Sequence, residues 1–245
     1  MCYPVDSWEQ LFPTKTLLRR IAVTNTTEKS DLLAGREQTY AFLASVFRDA
    51  PSGPVILDLT KALSGGGGED DSPGYSRLRR WSAHVSESAL PSIERELATE
   101  YARCVLNTGQ IPCYYPCESV YTSPEGMMKQ EAYHQVVAIY AAEGLGRARR
   151  TGEPEDHISA EMEYMAHLCS RARDALTGGC PDLYAAYLDK QRAFLEEHLL
   201  VWAPRYAGNM KTVARGDFYL AVAEITEEFL ADELVNLEDL AVSGD

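Results

Sequence analysis

The chain has 245 residues, of which 45% are hydrophobic and 24% charged, ordinary globular usage that excludes a wholly disordered chain. Lys and Arg total 23 against 37 Asp and Glu, a formal net charge of −14. That excess excludes a general nucleic-acid binder, which needs a basic face for phosphates, and disfavours docking on an anionic membrane. It fits a soluble protein and suits a basic partner.

The first 27 residues lack a secretory pattern and read as an N-terminal extension. Arg19-Arg20 is a twin arginine, but Ile21-Ala22-Val23 runs straight into Thr24-Asn25-Thr26-Thr27, too short an apolar run for an export signal of the chain's own. No apolar run approaches the roughly 18 residues that span a bilayer. The expected compartment is the cytoplasm, with no stable membrane insertion. There the six cysteines (Cys2, Cys104, Cys113, Cys117, Cys169, Cys180) are expected as free thiols rather than a disulfide framework.

The rest reads as helices. Residues 28–50 form one that stops at Pro51, and 54–63 a shorter one. Ser64 to Gly74 is a flexible loop of four glycines followed by acids, without the G-K-[ST] of a phosphate-binding loop. Pro91 opens a helix to about Asn107. A loop rich in Pro and Cys covers 109–124, and a helix runs from Glu125 to Glu143, closed by Gly144. From Pro154 to Leu176 the period is clearest: Ile158, Met162, Met165, Cys169, Ala172 and Leu176 make one apolar stripe. Pro181 opens a helix to about Trp202, and the last runs from Asp217 to about Leu240. No alternating strand is present. The expectation is an all-α, single-domain helical bundle over residues 28–245, with the Gly-rich acidic loop as an insertion. The nine acids from Asp217 to Asp245, with no Lys or Arg among them, read as a solvated C-terminal face.

Several residues could carry chemistry. Cys113 and Cys117 stand four apart, with Cys104 before and His134 after, which leaves a Cys3His metal site open although C-x3-C is weak zinc spacing. Glu131-Ala132-Tyr133-His134 is one Glu-x-x-His, but the second copy that a di-iron bundle needs is missing. G-x-S-x-G and a strand-borne G-x-G-x-x-G are absent, so nucleophilic catalysis and dinucleotide binding have no anchor. The most unusual stretch is Glu153-Pro154-Glu155-Asp156-His157-Ile158-Ser159-Ala160-Glu161. Asp156 can cap or begin the helix, and His157 and Glu161 share a face. One reading is a capped helix start with a surface ion pair; the other is an acidic notch beside an apolar stripe, able to hold a basic ligand. Tyr114, Tyr115 and Tyr121 in the Pro-containing loop either cover the core or contact a ligand.

Tyr115-Pro116-Cys117-Glu118-Ser119-Val120-Tyr121 resembles the P-x-E-S-x-Y loop of the TorD/DmsD/NarJ-type redox-enzyme maturation chaperones. Glu153 to Met165 is similar to that family's E-P-x-D-H motif and the helix behind it. Tyr101-Ala102-Arg103-Cys104-Val105 is similar to an earlier family element, with Cys-Val where Leu-Phe is usual, and Phe194 to Pro204 followed by Phe218-Tyr219 resembles its C-terminal helices. The resemblance covers roughly residues 30–235.

It implies an all-helical cytoplasmic chaperone without catalytic turnover and without a resident cofactor. Its partner would be the twin-arginine signal peptide, or equivalent N-terminal segment, and the apo form of a molybdopterin oxidoreductase, bound before export. The residues expected at the peptide are Tyr115, Pro116, Glu118, Ser119, Tyr121, Glu153, Pro154, Asp156, His157 and Glu161. Acids would meet the arginines through charge-assisted bonds. Asp156 would either bind arginine or order the notch, and His157 would bond peptide backbone or position the loop. A hinge near Gly152-Glu153-Pro154 leaves a monomer or a domain-swapped dimer open. The alternative is a metal-dependent helical-bundle enzyme using Cys113, Cys117 and His134.

Overall fold

A computed structural model of the chain describes residues 25–64, 72–106, 115–146 and 152–242. The N-terminal extension up to Thr24, Gly65–Asp71 of the Gly-rich loop, and Cys113 and Tyr114 lie outside the described residues. Among the described residues the architecture is the expected all-α bundle, with one isolated antiparallel bridge between Cys117 and His157 as the sole extended pairing.

Helix α1 (Thr26–Arg48) begins at a capping box: Asn25 accepts from the Glu28 N–H while the Glu28 side chain returns to the Asn25 N–H. It packs against α7 (Ile158–Thr177). Arg48 pairs with Glu163 near the start of α7, and Arg173 pairs with Glu37 near its end, so the two helices run antiparallel. Helix α2 (Gly53–Ser64) follows. Where the glycine composition predicts continuing loop, α3 (Pro73–Ser82) begins. Ser72 caps it, Pro73 fits the first turn, and tertiary contact does the rest. Gly74 lies so close to α10 (Asp217–Ala241) that a Cβ there would stand 2.7 Å from the Ile225 amide nitrogen. Arg77 reaches Glu224 and Asp217, and Glu228 receives Ser72 and the Gly74 N–H. The expected solvated acidic face is therefore partly spent inside the fold.

Helix α4 (Leu90–Cys104) precedes the loop, and the loop itself carries a short α5 (Glu118–Thr122). Helix α6 (Glu131–Ala142) starts six residues later than the sequence predicts. Ser123 instead closes a turn by accepting the Met127 N–H, and Lys129 sits at φ 57°. Helix α8 (Pro181–Phe194) does not stop near Trp202. It passes through a π turn (Leu195–Leu199) into α9 (Leu200–Val213). Pro204 stands inside α9, at its fifth residue and just beyond the π turn.

The core runs through α1, α7, α9 and α10, with Phe47, Met162, Trp202, Tyr206 and Phe218 fully or almost fully buried. Inside it sits a balanced charge cluster. Arg36 makes two bonds to Glu233, at 2.8 and 2.6 Å, and a third to Gln191 at 2.7 Å, and all three side chains are inaccessible. Tyr40 also donates to Glu233.

Candidate functional site

The two sequence motifs meet. The Pro116 carbonyl accepts the Ile158 N–H and the Asp156 carbonyl accepts the Glu118 N–H, each at 2.9 Å, tying the 115–119 strap to the start of α7. The Asp156 carboxylate reinforces the tie by accepting the Ser119 N–H at 2.9 Å. Asp156 is fully buried. Its carboxylate is turned to the strap backbone.

The helix cap is His157 rather than Asp156. His157 Nδ1 accepts the Ser159 N–H at 3.2 Å and lies 2.8 Å from the Ser159 hydroxyl, which places the proton of the neutral ring on Nε2. Burial, helped by the Arg48 charge, pushes the His157 imidazole down to about 3, so the ring is neutral at physiological pH. The expected surface pair with Glu161 is not made: both residues are buried, and Glu161 turns to Trp202. Pro154 shapes the approach, its carbonyl accepting the His157 N–H at 3.1 Å.

Behind the strap lies a second, unbalanced polar cluster. Glu118 accepts from or faces His198 Nδ1 at 3.0 Å, and Glu161 accepts the Trp202 indole N–H at 3.0 Å. Asp156 Oδ1, Glu161 Oε1 and the Tyr140 hydroxyl are buried with no hydrogen-bond partner. Burial, then the neighbouring charges of Glu118 and Asp156, hold the Glu161 carboxyl far above the usual carboxylate range, against the pull of Trp202. That shift favours the neutral form of Glu161, which lowers the repulsion with the Glu118 and Asp156 carboxylates beside it.

Seven of the ten expected site residues are buried: Pro116, Glu118, Ser119, Pro154, Asp156, His157 and Glu161. Three are half-exposed. Tyr115 donates to Glu153 at 2.6 Å across the strap. Tyr121 stacks near Trp202 and Tyr206 with the Arg205 guanidinium 5.5 Å from its ring. The surface edge of the site is therefore Tyr115, Glu153 and Tyr121, on a buried frame.

His198, Trp202, Tyr140 and Ser159 were not expected at the site. Phe194, His198 and Trp202 at i, i+4 and i+8 form one face, a signal the sequence carried; Tyr140 carried none. For the metal alternative, Cys113 lies outside the described residues, His134 is exposed on α6, and Cys117 is fully buried with its thiol pushed up by burial and by Asp156. Among the described residues no three His, Cys, Asp or Glu side chains gather in a way that could hold a metal ion. No helix among them is long and apolar enough to cross a membrane.

Residues 70–207 match the family model described as nitrate reductase delta subunit. The chain is 30% identical over 218 residues to the perchlorate reductase assembly chaperone protein of Dechloromonas aromatica, covering 83% of this chain and 90% of that one. It is 29% identical over 210 residues to the chaperone protein TorD of Shewanella amazonensis, covering 81% and 82%. The TorD of Vibrio cholerae is 26% identical over 145 residues, 59% of this chain and 64% of that protein's own length, so this match spans less than two thirds of the relative. The match to the family model and the long alignments agree with the strap and helix-start motifs, and the chain belongs to the nitrate reductase delta subunit family of TorD-type maturation chaperones.

Proposed function

We propose that this protein is a cytoplasmic chaperone that binds the twin-arginine signal peptide, or equivalent N-terminal segment, of a molybdenum-cofactor oxidoreductase and assists its maturation before export, without turnover of its own. The observation that carries this reading is the strap. Buried bonds from Asp156 and Pro116 hold it on the start of α7, and they leave Glu153 and the Tyr115 and Tyr121 rings at the surface. Family membership supports the chaperone class, and the rigid aromatic and acidic edge suits a segment with arginine beside apolar residues.

The geometry divides the labour. Glu153 and Tyr115 would touch the peptide; Asp156, His157, Ser119 and Glu161 position the surface from below. Calorimetry with a cognate signal peptide tests it. Glu153→Ala removes a charge-assisted contact of about 1.5–3 kcal/mol, so affinity falls roughly tenfold or more, with only a small drop in melting temperature from the lost Tyr115 bond. Unchanged affinity for a genuine cognate peptide removes Glu153 from the site. Equal affinity for the same peptide with both arginines replaced moves the client class to a non-exported enzyme subunit.

A further inference from the structure

One cleft reverses the charge of the acidic chain around it. It is open, has a volume of about 470 Å³, and lies between the outer face of α4, from Ser92 to Arg103, and Arg215 in the turn that joins α9 to α10. Glu100 lines it as a buried carboxylate. One Glu100 oxygen accepts the Arg215 N–H at 2.8 Å and the Gly216 N–H at 3.0 Å, and the other accepts from Arg103. Glu100 is therefore spent on structure: it fixes the Arg215 backbone and the Arg103 guanidinium against the same point of α4.

Two guanidiniums are left over. Elsewhere the arginines hold carboxylates, as Arg36, Arg48, Arg77 and Arg173 do. The Arg95 and Arg215 side chains are exposed and have no hydrogen-bond or ion-pair partner among the described residues, although acids outnumber bases 37 to 23 in the chain. The acids beside them in sequence are engaged: Glu94 accepts the Gly53 N–H and Asp217 pairs with Arg77. Glu96 is the one further acid that lines the cleft.

The spacing selects the ligand. Arg95 and Arg103 stand eight residues apart on α4, roughly 12 Å along its axis. A single carboxylate or phosphate cannot bridge that length. An extended polypeptide rises roughly 3.3 Å per residue, so acids at i and i+4 lie on one side of it and stand roughly 13 Å apart. Glu96, between the two arginines in sequence, opposes an evenly charged polyanion, whereas two spaced acids straddle it. The acids elsewhere on the molecule interfere little, because at physiological salt exposed charges are largely screened beyond roughly 8 Å.

We propose that this cleft is a docking site for an extended acidic segment of a partner protein, with its acids about four residues apart. Arg95 takes one carboxylate, and Arg103 with Arg215 takes the other, through paired N–H donors. This ligand is opposite in charge to the one assigned to the Glu153 edge, so the two surfaces do not compete. The inference stands without that assignment.

Fluorescence anisotropy tests it, with the full-length protein at physiological salt and a labelled Gly-Ser peptide that carries two glutamates four residues apart. The expected result is saturable binding, about tenfold tighter than that of the same peptide with glutamines. Arg95→Gln and Arg215→Gln should each weaken it about threefold and together about tenfold, as exposed and independent ion pairs do. The melting temperature should not change, because neither side chain is bonded to the rest of the fold. Equal binding of the glutamine peptide, or parental affinity in the double variant, overturns the proposal. Inorganic phosphate that displaces the peptide at equal concentration overturns it in favour of a general anion site, and tighter binding of single-stranded oligothymidylate overturns it in favour of nucleic acid. A cognate signal peptide should bind the parent and the double variant alike; a loss in the variant would merge this cleft with the Glu153 edge and overturn the proposal.

Discussion

The molecule buries charge in two places, and the two differ in kind. Between α1, α8 and α10, Arg36 meets Glu233 through two bonds, with Gln191 and Tyr40 completing the set. Behind the strap, Glu118, Asp156 and Glu161 gather, and among the described residues no Arg or Lys is bonded to any of them, while two of the three carry an oxygen with no partner there. The first cluster is matched and serves as scaffold. The second is eased by the raised pKa of Glu161, which favours its neutral form, and it lies directly beneath the strap that presents Tyr115. Matched burial fixes the bundle; unmatched burial accompanies the edge proposed to contact the peptide.

Breaking the matched cluster should have the largest effect. Arg36→Met leaves the Glu233 carboxylate buried and uncompensated, at a cost of about 3–5 kcal/mol. Thermal unfolding should fall by roughly 10 °C or more for a chain of this size. A small shift would show that water reaches Glu233 and that the cluster is not the scaffold described here.

Asp156→Ala comes next. It strands the Ser119 N–H, a loss of about 1–3 kcal/mol. Amide exchange should accelerate at residues 117–119 while α1 and α10 keep their protection. Global acceleration would make the strap part of the scaffold and erase the contrast.

The subtlest test uses pH, because the second cluster titrates in both directions. The Glu161 pKa is raised in the fold, so its contribution is complete below the unfolded value near 4.5 and is lost as pH rises toward the folded value. Glu161→Gln keeps an acceptor for Trp202 and cannot ionise, so its urea midpoint relative to the parent should improve steadily from pH 5 to pH 8. The His157 pKa is lowered, so its contribution is present above 6.5 and is lost as pH falls toward 3. His157→Asn keeps a cap acceptor and should flatten that acidic limb. Parallel pH profiles for parent and variants would mean that neither group is held in its neutral form.

Much of this was legible in the residues. The apolar period of Ile158 to Leu176 located α7, and the prolines at 91 and 181 each sit where a helix begins. The strap and helix-start motifs were visible, and so was their likeness to a chaperone family. Their chemistry was not. Periodicity places His157 and Glu161 on one face, but it cannot say that the face turns inward toward Trp202 and His198, which are some forty residues away in sequence. The α10 acids read as solvent-facing because their partners, Arg36 and Arg77, stand in distant helices.

The sequence by itself determined that this chain is helical, where its principal apolar stripes run and which motifs it carries, because those depend on local spacing and composition. Only the tertiary structure decided that the Pro73 helix forms against α10, that the chain continues through Pro204, and which acids are paired, neutral or exposed. Burial and protonation depend on groups brought together from distant segments, and no local pattern encodes that meeting.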